Sequence, residues 1–257
     1  MEIFKFIKKI NKSVNRLKSR EYWLLKRYKF TTVQKFSLDC FTGKRVAIIG
    51  PADSALKEKA GGYIDGFDIV IRINKSIDMV NVYSEYIGSK TTFLFHGLDE
   101  TPKTGCGNIE TELWKKYGVN GIFYPLNEKR FQANLNNCLL KNKGVLPLFQ
   151  IDEVFYNKLR SDISNFTPTT GFAALYILLH SQCSELYISG FTFFKTPHQR
   201  GYRNDLANHH EARKLMKEYG NHNPDIEFEV FKNLIHDSNL NIMLDSTLKS
   251  LVYDDEN

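Results

Sequence analysis

The chain lacks the features that mark secreted, membrane-spanning or metal-built proteins. Its four cysteines, Cys40, Cys106, Cys138 and Cys183, form no Cys-x-x-Cys pair. They lie too far apart for a zinc knuckle or a disulfide-dense module, so free thiols are expected. No apolar run approaches the roughly 20 residues of a membrane span; the longest reaches only from Phe172 to Leu179, and the N-terminus has no uncharged apolar stretch of the signal-peptide kind. These absences point to a reducing cytoplasm, where the Asn-x-Ser/Thr sequences at Asn11, Asn74 and Asn165 have no consequence. There is no Gly-Lys-Ser/Thr loop and no G-x-G-x-x-G spacing, which excludes P-loop enzymes and ordinary dinucleotide folds. No Asp-x-Asp offers a metal site either, and the acidic run Asp254-Asp-Glu256 at the C-terminus reads as a solvated tail. With only 7 prolines and 16 glycines in 257 residues, the chain is neither collagenous nor disordered, and its length suits one domain.

What the chain does have is an uneven charge. Of the net +6, residues 1–46 carry 13 Lys and Arg against three acids, while the remaining residues hold 22 bases against 26 acids. A domain that is net acidic does not bind phosphate backbones, so nucleic acid is excluded as a partner. In the basic head, Ile3, Ile7, Ile10, Val14 and Leu17 recur every three to four residues among lysines and arginines, which describes an amphipathic helix. Such a helix either lies on an anionic membrane surface, with Phe4, Phe6, Trp23 and Leu24 as apolar wedges, or packs on the domain. The organisation expected is a basic helical segment over 1–42 and a folded domain over 43–257.

From Lys44 onward, short apolar β-branched runs alternate with helical stretches. Arg45 to Ile49, Asp68 to Ile73, Thr91 to Phe95, Gly121 to Tyr124 and Leu186 to Ser189 read as strands, with helices over Gly171 to His180 and Glu211 to Tyr219. The fold class that follows is α/β, a Rossmann-like, doubly wound, mostly parallel sheet. Ligands in such sheets sit beyond the carboxyl ends of the strands, which directs attention to Gly50, Asn74, His96 and Gly190.

Three segments meet there. Val46-Ala-Ile-Ile-Gly-Pro-Ala-Asp-Ser54 is a buried strand opening into a small-residue turn, Gly50 to Ser54, where backbone can approach a ligand. Ile64-Asp-Gly-Phe-Asp-Ile-Val-Ile-Arg-Ile-Asn74 delivers Arg72 and Asn74 to the same sheet edge; alternation puts both on one face, for a loop or for a ligand. Thr167-Pro-Thr-Thr-Gly171 opens an apolar helix with Thr169 or Thr170 as N-cap. Free amides at a helix start are an anion site. After it comes Glu185-Leu-Tyr-Ile-Ser-Gly-Phe191.

In this order the segments resemble the L and S sialyl motifs of glycosyltransferase family 29, the sialyltransferases, over roughly Lys44 to Leu234. The L motif runs as an apolar strand, Gly-Asn, then Ile-Asp-x-x-Asp-x-Val-x-Arg-x-Asn; the S motif contains Pro-Ser-Thr-Gly, a helix and Tyr-Gly-Phe. A shorter likeness to the bacterial family 42 enzymes falls in the same places. His222-Asn-Pro-Asp-Ile-Glu227 matches the spacing of the family's later His-x4-Glu (VS) motif, and His209-His-Glu211 stands where its short His motif belongs, with His209 and His210 unranked. Pro51 replaces the Asn that follows the first Gly and contacts nucleotide. Val46 stands where animal members have the first cysteine of a disulfide, and Cys183 is displaced from the second, as suits a bacterial-type member.

The resemblance implies a sialyltransferase variant of the GT-A fold and an inverting transfer of an acidic sugar from a CMP-sugar to a glycan or glycolipid acceptor, without metal or cofactor. By carry-over, His222 is general base and His210 neutralises the departing phosphate. Gly50, Ser54, Asn74, Thr169, Thr170, Gly171 and Gly190 hold the donor, and Arg72 and Glu227 support the site. The setting implied is bacterial surface polysaccharide synthesis by a cytoplasmic protein peripheral on the inner membrane. A CMP-octulosonate transferase and a noncatalytic sugar-nucleotide binder, the latter suggested by Pro51, stand as alternatives.

Overall fold

The computed structural model describes residues 19–102, 104–203, 208–218 and 221–254. The described chain opens in a helix that ends at residue 32 (α1) and continues through β1 (Val33–Lys35), β2 (Arg45–Ile49), α2 (Gly61–Asp65), β3 (Ile69–Ile73), α3 (Val80–Ile87) and β4 (Phe93–Phe95). There follow α4 (Thr111–Lys116), β5 (Gly121–Tyr124), α5 (Gln132–Asn142), β6 (Leu148–Gln150), α6 (Glu153–Asp162), α7 (Thr170–Leu179) and β7 (Glu185–Ser189). The chain closes with α8 (His209–Glu218), α9 (Pro224–His236), β8 (Ile242–Leu244) and α10 (Ser246–Tyr253). All eight strands pair in parallel in one sheet of order β1-β6-β5-β4-β3-β2-β7-β8.

Helices cover both faces of the central strands, which accounts for their unbroken apolar composition: every residue of β3 and β5 is buried. Side chains of opposite parity feed two cores. Val46, Ile48, Ile71 and Leu94 join the larger; Ala47, Ile49, Val70 and Tyr187 join the smaller. Strand order reverses between β2 and β7, so the crevice at the topological switch point opens beyond Gly50 and Gly190.

All five sequence-derived strands start and end within two residues of those observed. Side chains displace the boundaries of β3 and β4. The Asp68 carboxylate accepts from the Arg45 amide, and the Thr92 hydroxyl accepts from the Val70 amide where a ladder carbonyl would otherwise serve. Strands β1, β6 and β8 are three residues each, too short for an alternation to register. Strand β1 pairs with β6, and Phe36 and Phe41 lie in the main core, so residues 33–41 pack with the sheet. The helix expected from Ile3, Ile7, Ile10, Val14 and Leu17 lies outside the described residues.

Arg72 is buried in β3, where its Nε donates to the Thr91 hydroxyl and one terminal nitrogen donates to the carbonyls of Ile87, Gly88 and Lys90. It closes the C-terminal end of α3 onto the sheet. Replacing it with methionine leaves these buried carbonyls without a donor, at about 1–3 kcal/mol each. Arg72→Met is therefore expected to lower the unfolding free energy by at least about 3 kcal/mol, measured by urea denaturation.

Candidate active site

A cleft of about 490 Å³ lies above the carboxyl ends of β2, β3, β4 and β7. Its floor is set by close backbone approach. Gly190 has φ +77, and a Cβ on it would sit 2.4 Å from the Gly50 carbonyl oxygen; the reverse substitution would meet the Gly190 oxygen at 2.3 Å. Only glycine fits either position. Gly97 is equally confined, because its Cβ would fall 2.9 Å from the Cys106 sulfur and 3.1 Å from the Thr170 hydroxyl. Its amide donates to the Asn74 side-chain oxygen at 2.9 Å. Asn74 itself adopts φ 50, a conformation asparagine tolerates better than most residues, which ends the alternation of β3 and turns its side chain to the cleft. Leu98, Phe193 and Phe194 also have positive φ. For such bulky side chains this is strain, on the loops that shape the cleft.

The opposite wall is the start of α7. Thr169 is its N-cap: the hydroxyl accepts from the Phe172 amide at 3.1 Å. The amides of Thr170 and Gly171, first in the helix, have no carbonyl one turn earlier to bond, and both residues line the cleft. With the positive end of the helix dipole, they form an anion site.

The start of α9 is docked against this turn. The Thr167 amide donates to the Asn221 carbonyl at 2.8 Å, and His222 Nδ1 lies 2.7 Å from the Thr167 carbonyl oxygen. A carbonyl can only accept, so Nδ1 carries the proton and Nε2 keeps its lone pair on the cleft side. Burial, and secondarily the nearby Arg130 charge, lowers the His222 pKa below 6.5, against the pull of the Thr167 carbonyl. Asn223 caps α9 by accepting from the Asp225 and Ile226 amides. His222 and Glu227 thus occupy the positions just before the cap and four into the helix, which a helix start brings together. Glu227 is fully buried and accepts from the Thr169 amide at 2.7 Å and from its hydroxyl at 2.8 Å. Burial pushes its carboxyl up to about 8, the two Thr169 bonds opposing.

Of the residues singled out in the sequence, the structure brings Asn74, Thr169, Thr170, Gly171, Gly190, His222 and Glu227 to this one cleft, the amide and hydroxyl of Thr169 being engaged by Glu227 and the helix cap. Others fall elsewhere. Gly50 lies beneath the lining, its carbonyl accepting from the Gln199 side chain at 3.2 Å. Ser54 is buried outside the cleft lining and donates to Asp245 at 3.1 Å. Arg72 does not share a face with Asn74, since it is committed to the end of α3. His210 is exposed at the start of α8 and is not among the described residues lining the cleft; the side chain of His209 lies outside the described residues. His96 is buried beside the cleft as a neutral ring, its pKa lowered to about 4 by burial. Its Nε2 donates to the Cys106 carbonyl and its Nδ1 accepts from the Leu98 amide.

Sequence reasoning missed two groups. Thr192, Phe194, His198, Tyr202 and Arg203 from the loop after β7 line the cleft, as do Arg130, Phe131 and Asn134 from the entry to α5. The aromatic and basic density of Phe191 to Arg203 is a signal in the sequence; the α5 entry offers none. Pro51 lines the cleft too, and its carbonyl accepts from the Gln199 amide at 2.8 Å. All four cysteines are free.

The family model for glycosyltransferase family 29 (sialyltransferase) matches residues 4–239. Among solved structures, the chain is similar to a mammalian sialyltransferase at 18% identity, over 85% of this chain and 77% of that one, with a TM-score of 0.55. A mammalian sialyltransferase in complex with Gal-beta-1-3GalNAc-ortho-nitrophenol matches at 18% identity over 85% and 78%, with a TM-score of 0.52. The sialyltransferase CstII from Campylobacter jejuni, in complex with cytidine-5'-monophosphate, matches at 14% identity over 82% and 84%, with a TM-score of 0.50. At these identities the likeness is one of fold. A search of curated proteins finds no match.

The buried Glu227 has a measurable consequence. Because its pKa is raised from 4.5 to about 8, the folded state holds a proton that the unfolded state has lost, and the associated stability present below pH 4.5 fades as pH rises toward 8. Glu227→Gln keeps an oxygen for the Thr169 amide and cannot titrate. The unaltered chain is expected to lose stability relative to this variant between pH 5 and 8, measured as the difference in urea midpoints.

Proposed function

The chain belongs to glycosyltransferase family 29, the sialyltransferases, and from that premise we propose that it transfers sialic acid from CMP-sialic acid to a glycan hydroxyl, by inverting displacement. The observation that carries the reading is that His222, its Nδ1 fixed on the Thr167 carbonyl, stands beside the amide-lined start of α7 in one cleft. CMP has one phosphate, a charge that two helix amides and the helix dipole suit. The neighbour CstII was solved with cytidine-5'-monophosphate and a mammalian relative with a Gal-beta-1-3GalNAc derivative, which supports a nucleotide donor and a glycan acceptor here.

In the step proposed, His222 Nε2 takes the proton of the acceptor hydroxyl as its oxygen bonds to the anomeric carbon from the face opposite CMP. The bond from that carbon to the phosphate oxygen breaks, and CMP keeps the electron pair. The amides of Thr170 and Gly171 stabilise the growing phosphate charge. Asn74, with Gly190, orients the nucleotide. Glu227 acts at one remove: by clamping Thr169 to α9 it fixes the distance between base and anion site. His210, exposed on α8, is given no role.

We also propose that α1 rests on an anionic membrane surface in the synthesis of a bacterial surface glycan. Leu25 and Tyr28 pack on the core, whereas Tyr22, Trp23 and Phe30 are exposed among Lys26, Arg27 and Lys29. Among the described residues no helix is long and apolar enough to cross a membrane. Cosedimentation with vesicles should be strong when they carry anionic lipid and weak when they are neutral. Trp23→Ser with Phe30→Ser should lower binding at least tenfold; equal binding of both chains to anionic vesicles would refute the assignment.

The function is tested by release of CMP from CMP-sialic acid, CMP-octulosonate and a UDP-sugar control. CMP-sialic acid should turn over, and His222→Ala should lower kcat by about 10² to 10⁴ with CMP affinity nearly unchanged. Protonated His222 cannot accept a proton, so kcat/KM should fall as pH drops through a value below 6.5. Turnover of CMP-octulosonate alone would change the donor; turnover of neither would leave a nucleotide-binding relative.

A further inference from the structure

We propose that Asp245 is a positioning residue of the donor site, in which a single carboxylate oxygen holds the loop after β2 and the loop after β7 at a fixed separation. Asp245 lies beyond residue 239, where the family match ends, and outside the cleft lining. It follows β8 directly, and its amide donates to the Ile188 carbonyl at 3.0 Å, which fixes its backbone to β7. The side chain is 3% exposed. Its Oδ2 accepts from the Gly190 amide at 2.7 Å and from the Ser54 hydroxyl at 3.1 Å, while Oδ1 accepts from the Leu248 amide at 2.7 Å and caps α10.

These bonds reach the two loops whose backbones form the cleft floor. The Gly190 carbonyl accepts from the Ala52 amide at 2.9 Å, and Pro51, Ala52 and Gly190 all line the cleft. Gly50 and Gly190 already stand so close that neither tolerates a Cβ. Backbone bonds hold this gap from within, and because glycine brings no side chain of its own, any further tether comes from outside. A carboxylate that accepts from three donors ties both loops and the start of α10 to one rigid group. Ser54 thus belongs to the site as a tether rather than as a ligand contact.

The proposal rests on the donor reading only for the identity of its ligand, so it is tested in two ways on the full chain. Amide hydrogen exchange is followed without ligand, and CMP affinity is measured by calorimetry. In Asp245→Ser the hydroxyl still caps α10, but one oxygen cannot also serve Gly190 and Ser54. Exchange should quicken together in residues 50–56 and 188–194, and the CMP Kd should rise about tenfold. Ser54→Ala, which leaves the cap of α10 intact, should quicken exchange in residues 50–56 and raise the Kd about threefold. Asp245→Asn keeps one oxygen that can accept from both Gly190 and Ser54 while its amide nitrogen faces the Leu248 amide, so it should loosen the cap of α10 and leave exchange in both loops and the CMP Kd within twofold.

Faster exchange confined to α10, or CMP affinities within twofold in both Asp245→Ser and Ser54→Ala, would overturn the proposal. If Asp245→Ser does not fold, Ser54→Ala decides it alone. Failure of the unaltered chain to bind CMP would contradict the donor reading, while the exchange data would still decide the clamp.

Discussion

The contact between two helix starts carries the chemistry of this protein. The turn that opens α7 offers the Thr167 carbonyl in one direction and the Thr169 amide and hydroxyl in another; the turn that opens α9 meets them with His222 and Glu227. The same few bonds set a histidine tautomer, bury a carboxyl and leave the first amides of α7 open to the cleft. This gives the His-x4-Glu spacing a physical basis. Four residues separate the position before an N-cap from the fourth helical position, and those two positions face the same neighbour.

The other side of the cleft depends on the sheet. Parallel strands β2 and β7 lie side by side where strand order reverses, and their ends converge on Gly50 and Gly190 at a distance that excludes any side chain. A wall made of backbone is narrow and rigid, suited to a flat, polar ligand. Strain at Asn74, Leu98, Phe193 and Phe194 is concentrated on the same loops. Regular ladders and a deep apolar core hold those loops in conformations they would not adopt alone.

Much of this was legible in the residues. The long β-branched runs of β2, β3 and β7 announced central parallel strands, and the small-residue turns after them marked the cleft. Asn74, Thr170, Gly171, Gly190 and His222 arrive together as the motif order implied. Ser54 and Arg72 did not, for a common reason: a polar side chain near a strand end serves a ligand or a neighbouring backbone equally well, and only the fold shows that Asp245 and the end of α3 lie within reach. Arg130 lies in a loop with no sequence signal, and its nearness to the cleft is a product of tertiary packing, whereas Tyr202 belongs to an aromatic and basic stretch whose composition marks it but whose place in the fold does not follow from it. The pairing of β1 with β6 left no mark in the sequence, because a three-residue edge strand makes no pattern.

The most direct test of the account is the protonation of His222, read by nitrogen-15 NMR of the histidine-labelled, ligand-free protein near neutral pH. A proton on Nδ1, a bare Nε2 and a pKa below 6.5 are predicted from the Thr167 carbonyl and from burial. A proton on Nε2, or an imidazolium at pH 7, would contradict it, because neither species could accept the acceptor's proton from the cleft.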